Sequence, residues 1–283
     1  MYTLTIERQD GEKLTLTQYR SAYQVTYTGL GPVAAEIITS SLGLVDGEKY
    51  NGARVGARNV VLSIAINNNA EANRIRLYGF LAPKSWIKLH YQNGTRRVYV
   101  EGYVESFEVD QFRVPQTAQV SIICPQAYLT NAEEFVVDIT SVVDAFEFPF
   151  SFPADGFEFS AFINMDYANM HNSGDVSTGL IITAFAQSEV TAPNIYNVLT
   201  NEYIKINGTL YAGDTLTINT NAGHKRIQIT DVQGNVVNIL HRLVRGSTWL
   251  QVNPGDNYIS YSADKGEENM LVSMRHSDLF VGV

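Results

Sequence analysis

The chain is short of nearly everything that marks an enzyme, a secreted domain or a membrane protein. It has one cysteine in 283 residues, Cys124, so no disulfide forms within it and nothing points to an oxidising compartment. No apolar run approaches the ~20 residues of a membrane helix. No basic-then-apolar leader opens it, since Met1–Asp10 reads as a strand, and synthesis in a cytoplasm is expected. The five histidines, His90, His171, His224, His241 and His276, are scattered, and none pairs with another at the spacing a zinc site uses. There is no Gly-x-Ser-x-Gly elbow, dinucleotide fingerprint or phosphate loop. Cys124 closes the apolar strand Val120-Ser-Ile-Ile-Cys124, a place for a buried thiol rather than a nucleophile. Asp155, Glu158, Asp166, Asp175 and Asp256 could supply a glycosidase's carboxylate pair, but a region this acidic offers such pairs by chance. Asp166, Asn169, Asn172 and Asp175 are hard oxygen ligands in one stretch. Their order does not match an EF-hand, and a solvated loop is the better reading. The expectation is a non-enzyme with no metal and no cofactor.

What is present is strand-forming. The chain carries 16 Tyr, 13 Phe and 21 Gly, and hydrophobic residues make up 45% of it. Thr, Val and Ile recur throughout, and such residues suit a pleated, half-buried surface. Tyr2–Ile6 and Lys13–Thr17 alternate around Asp10-Gly11, which predicts a hairpin. Trp86–Tyr91 and Thr95–Tyr103 around Asn93-Gly94 predict a second. Tyr23–Tyr27, Leu44–Tyr50, Asn59–Ile66, Val104–Val109 and Ala118–Cys124 read as further strands. One helix is predicted over Ala70–Leu81, capped by Asn67-Asn68-Asn69, anchored by Ile75, Leu77 and Tyr78, and stopped by Pro83. Later strands are expected at Phe146–Pro153, Phe157–Phe162, Gly179–Phe185, Tyr203–Ile206, Thr215–Asn219, Arg226–Thr230, Val236–Ile239, Gly255–Ser262 and Met270–His276. Short turns separate them, the mark of a sandwich or jelly roll.

The class is therefore all-β, with two domains, 1–132 and 133–283, meeting near Asn131–Glu134. Charge divides at the same place. Up to Glu134 there are 13 Lys/Arg and 13 Asp/Glu, and beyond it 7 and 16, which gives 0 and −9 and matches the total of −9. An acidic second half argues against a nucleic-acid partner there. In the first half Arg54, Arg58, Arg74, Arg76, Arg96 and Arg97 are balanced by Glu36, Asp46, Glu48, Glu71, Glu101 and Glu105. That balance fits pairing between subunits better than a nucleic-acid patch. The expected oligomer contacts are Arg54 and Arg58, with Asp46 and Glu48, on an arm around Leu44–Arg58. A first domain ending near Asn131 is expected to oligomerise alone. A rival reading is a carbohydrate-binding module, for which Trp249, Tyr258 and Tyr261 are candidate glycan contacts. Core packing is the plainer reading of those three.

A series of weak motifs in a fixed order adds to this. They are Asp46-Gly47, Arg58-Asn-Val-Val-Leu62, Phe80-Leu-Ala-Pro-Lys84, Arg97-Val-Tyr-Val-Glu-Gly-Tyr-Val-Glu105 and Cys124-Pro-Gln-Ala-Tyr128. Phe148-Pro-Phe150, Asn172-Ser-Gly-Asp175, Ala192-Pro-Asn194, Ile204–Leu210, Leu250–Asn257 and Phe280-Val-Gly-Val283 follow. In this order the chain resembles the distal tail protein (Dit) family of long-tailed, non-contractile phages and prophages of Gram-positive bacteria. The resemblance implies an N-terminal β-sandwich of tail-tube type with one helix and a projecting hairpin, and a C-terminal galectin-like jelly roll. It implies a hexameric ring at the virion tail tip, between the tail tube protein and the hub, with receptor-binding proteins as further partners.

Overall fold

The computed structural model describes residues 2–41, 43–44, 46–144, 160–164 and 167–283. The chain falls into two compact units, residues 1–133 with 279–283, and residues 134–278. The last five residues thus join the first unit, whereas the sequence division places all of 133–283 in the second. The expected strand Phe146–Pro153, most of Phe157–Phe162, and the carboxylates Asp155, Glu158 and Asp166 lie outside the described residues.

The first unit contains β1 (Thr3–Arg8), β2 (Lys13–Thr17), β3 (Tyr23–Thr28), β4 (Ala35–Ser41), β5 (Glu48–Val55), β6 (Arg58–Ile66), α1 (Ala70–Phe80), β7 (Trp86–Gln92), β8 (Arg97–Asp110), β9 (Gln116–Cys124), β10 (Leu129–Asn131) and the chain's last strand, β27 (Leu279–Phe280). Its main sheet runs β27-β10-β8-β7-β1-β2-β3-β6-β9, and β9 also pairs with β8. The ladder from β8 round to β9 therefore closes on itself, which leaves the two-residue β27, beside β10, as its edge among the described residues. Closure needs β8 to serve two layers. Residues Arg97–Tyr103 pair with β7, Tyr103–Asp110 pair with β9, and the register shifts between Val104 and Ser106. A bulge of this kind bends a strand. Gly102 sits at the turn of the bend: a Cβ there would lie 2.8 Å from both Cys124 Sγ and Ile123 O.

Period-two patterning fills the interior. Leu4 and Ile6, then Val60, Leu62, Ile64 and Ile66, then Val120, Ile122 and Cys124 all point inward and are buried. The helix packs through Leu77 and Phe80, while Ile75 and Tyr78, expected as anchors, are exposed. A helix against a closed sheet buries only a narrow stripe, and Phe80 completes that stripe one turn after Leu77. The Asn triplet does not cap by side chain. Asn69 is left-handed at φ 37°, and Asn73 Nδ2 bonds back to Asn67 O and Asn68 O.

The β4–β5 hairpin is a two-stranded sheet of its own. Nearly every residue of it is exposed. Two strands with no third element are marginal in water. This is the projecting hairpin, and β4 was not foreseen.

The second unit is a two-sheet sandwich. One sheet runs β11 (Phe135–Asp138), β26 (Met270–His276), β16 (Ile181–Ala186), β21 (Thr215–Asn219), β22 (Arg226–Thr230) and β23 (Val236–Asn238). The other runs β14 (Ala168–Asn172), β25 (Gly255–Ser262), β18 (Asn194–Asn197) and β19 (Tyr203–Lys205). Short ladders join β12 (Thr140–Asp144) to β13 (Ser160–Asn164), β15 (Thr178–Gly179) to β24 (Gln251–Val252), and β17 (Val190–Thr191) to β20 (Thr209–Leu210). Met170, Ile182, Ile195, Ile218, Ile259 and Met274 lie in its core.

Candidate assembly interface

The two arginines expected to act together are separated by burial. Arg58 opens β6 and is 1% exposed. Its guanidinium donates from Nε to Ala127 O (2.9 Å), from Nη1 to Gly29 O (2.6 Å) and Gly31 O (2.7 Å), and from Nη2 to Val281 O (2.9 Å). All four acceptors are main-chain carbonyls of the first unit. Arg58 is therefore withdrawn from any subunit contact, which corrects the sequence reading. Burial lowers its pKa against an opposing pull from the Cys124 thiol, and burial pushes that thiol up to about 11. The fork geometry of arginine lets one side chain collect acceptors from two loops and the C-terminal segment. Gly29, at φ 87°, makes the approach possible: a Cβ there would lie 1.9 Å from Asn59 O.

Arg54 stays on the arm, exposed, and its Nε donates to Glu36 Oε2 at 2.7 Å within the same hairpin. That partner raises its pKa. Asp46 and Glu48 are exposed at the arm's end, where Thr39 Oγ1 donates to Glu48. Of the expected set, then, Arg54, Asp46 and Glu48 share the arm and Arg58 does not. The arm also carries exposed Ile37, Ile38, Leu44 and Tyr50.

The other arginines are spread widely. Arg74 donates to Gln116 (3.2 Å), Arg76 lies over Phe80 (5.8 Å), Arg97 pairs with Glu133 (3.8 Å), and Arg96 lies over Phe280 (4.3 Å) and donates to Gly282 O. They form no single patch.

The glycan candidates are not brought together. Tyr261 points into the second core, while Tyr258, on the opposite face of β25, packs edge-on against Tyr167 at 5.3 Å. Trp249 packs against the core with Lys225 Nζ 5.4 Å from its ring centroid. Of the loop oxygens, Asn172 is buried and donates to Val176 O and Val252 O, and Asn169 donates to Asp256. They are structural. Among the described residues no group of three His, Cys, Asp or Glu is placed to hold a metal ion.

Histidine chemistry is local. His90 Nε2 lies 2.8 Å from Glu7, and His171 Nδ1 lies 2.7 Å from Asp256, whose pKa is lowered first by that bond and next by Asn169. His276 is buried, stacked on Phe135 at 5.3 Å, with Asp278 Oδ1 at 3.6 Å and His171 nearby. Burial lowers its pKa, and the Asp278 charge opposes. The fold thus favours neutral imidazole, while the unfolded chain takes up a proton near the ordinary histidine value. The resulting stabilisation is complete above that value and is lost as pH falls below it. The second unit should therefore show a lower denaturant midpoint at about pH 5.5 than at about pH 7.5. His276→Gln should remove part of that drop. An identical drop in the variant would sink the assignment.

No curated protein matches the chain. Residues 173–277 match the family described as siphovirus-type tail component, C-terminal domain. The structure of the phage SPP1 Dit protein, described as a paradigm of hub adsorption apparatus in phages infecting Gram-positive bacteria, is similar over 98% of this chain and 99% of that one, with a TM-score of 0.68 at 13% identity. Over residues 173–277 the chain carries the sequence pattern of that family, and over nearly its whole length it carries the fold of a Dit protein. A chain of the phage P2 baseplate in its activated conformation is also similar, over 98% of both chains, with a TM-score of 0.51 at 8% identity. The all-β fold with one helix is shared by this chain and that Dit structure. Among the described residues no helix is long and apolar enough to cross a membrane.

Proposed function

We propose that this chain forms a hexameric ring that connects a tail tube to the tip apparatus, with the first unit closing the ring. The observation that carries the reading is similarity to a Dit hub protein along both units rather than one. The first unit's closed ladder supports it. With its long strands paired on both sides, that sheet offers neighbours a projecting hairpin rather than a long raw strand edge. The role is structural rather than enzymatic. Its partners are the tail tube protein, the hub and receptor-binding proteins, and its place is the virion tail tip after synthesis in the host cytoplasm. Native mass spectrometry of the full chain is the test. A species of six chains supports the ring, and a monomer at every accessible concentration overturns it.

A further inference from the structure

Two features of the first unit are exposed, and their chemistries match. One is the arm's end. Leu44 is 107% exposed, and the acidic Asp46 and Glu48 follow it. The other is the turn between β8 and β9. Phe112 and Val114 there are 101% and 95% exposed, and they flank exposed Arg113. Arg113 has no ion pair among the described residues, and neither has Asp46. The β8–β9 turn is braced rather than loose: the Phe112 N–H donates to Asp110 Oδ1 at 3.1 Å, and Gln116 Nε2 donates to Gln111 O at 3.2 Å. A braced turn presents its two bare apolar side chains with little ordering left to pay on binding.

We propose that the arm's end of one copy docks on the 111–115 turn of the next copy, with Leu44 against Phe112 and Val114, and Asp46 and Glu48 against Arg113. The two patches differ, so the contact is head-to-tail and repeats around a ring instead of ending at a dimer. Apolar area supplies the attraction, while opposite charge sets the register and rejects a wrong partner. The four side chains Leu44, Asp46, Phe112 and Arg113 make no contribution to either core, so changing them leaves the fold intact. The proposal rests on the ring reading and names its contact. It keeps Asp46 and Glu48 in the interface, replaces Arg58, and adds a turn to which nothing in the local sequence draws attention.

The test is a charge exchange in the full chain, read by sedimentation velocity. Asp46→Arg with Glu48→Arg should weaken self-association at least about tenfold, because like charges then face each other. Arg113→Glu should do the same. All three changes together should recover association to within about threefold of wild type. A second arm uses mild oxidation. Leu44→Cys mixed with Phe112→Cys should give a crossed disulfide dimer, with neither variant cross-linking alone, and the chain carrying both should give a ladder of oligomers. Cys124 is buried and does not interfere. If wild type assembles but the reversals do not weaken it, or Leu44→Cys links to itself, the contact is wrong while the ring stands. If wild type never assembles, both readings fall.

Discussion

Replacing Arg58 with Met is expected to cost the first unit on the order of 3–5 kcal/mol, the range for removing one partner from a buried charged network. The guanidinium serves four carbonyls, on Gly29, Gly31, Ala127 and Val281. Each charge-assisted bond is worth roughly 1.5–3 kcal/mol alone. They do not add, because loosening one segment lets water reach the others. Lysine should not rescue, since a single ammonium cannot span acceptors that a planar fork reaches from three nitrogens. The measurement is simple because each unit holds one of the two tryptophans, Trp86 in the first and Trp249 in the second. In a Trp249→Phe background the urea midpoint reports the first unit, and in a Trp86→Phe background the second. The Trp86 signal should shift sharply and the Trp249 signal should not. A Trp86 midpoint that stays put would mean that the four bonds are dispensable.

A chain stopped after Asp278 should lose at least as much stability in the first unit. Five residues go, and with them β27, whose Phe280 and Leu279 pair with Leu129 and Thr130 of β10. The Val283 N–H bond to Leu30 O and the seat of Arg96 on Phe280 are lost as well. Leu129, now buried, becomes solvent-facing, and each such side chain contributes about 1.5–3 kcal/mol. The same reasoning revises the expectation that a fragment ending near Asn131 forms rings alone, because it lacks its own last strand. Residues 1–133 joined by a short linker to 279–283 should fold where 1–132 does not. Thr130 lies opposite Leu279, so a tight loop can replace the second unit. Equal thermal midpoints for the two fragments would contradict this.

The parts of the fold that were legible in the sequence share one property: their cause is local. Asn93-Gly94 forces a hairpin whatever surrounds it, and Asn93 Oδ1 receives the N–H groups of Thr95 and Arg96. Thr215–Asn219, Arg226–Thr230, Gly255–Ser262 and Met270–His276 are rich in strand-forming residues between turn signals and are strands at those bounds. The failures have distant causes. Thr95–Tyr103 and Val104–Val109 read as two strands but are one, because only the sheet's closure shows that the break is a bend. β4, with Glu36, Ile37 and Ile38, lacks an inward face, so no alternation betrays it. Arg58 looked like an arm residue because glycine and arginine surround it. That its partners stand at 29, 31, 127 and 281 is invisible at any short range. Phe112 and Val114 carry no local signal for a related reason, since exposure is a property of the folded neighbourhood.

The entry and exit of the second unit are hydrogen-bonded neighbours in the first, β10 and β27. Force arriving through the second unit would thus be carried by two tethers rather than one. Each ends in a short strand, and the second is locked by Arg58 through Val281 O. Cutting the chain once near residue 134 leaves the other tether loaded and intact, so a single nick weakens the attachment without releasing it. The arrangement also confines exchange of the second unit to two adjacent splice points, so a different module could be inherited there while the first unit keeps its sequence.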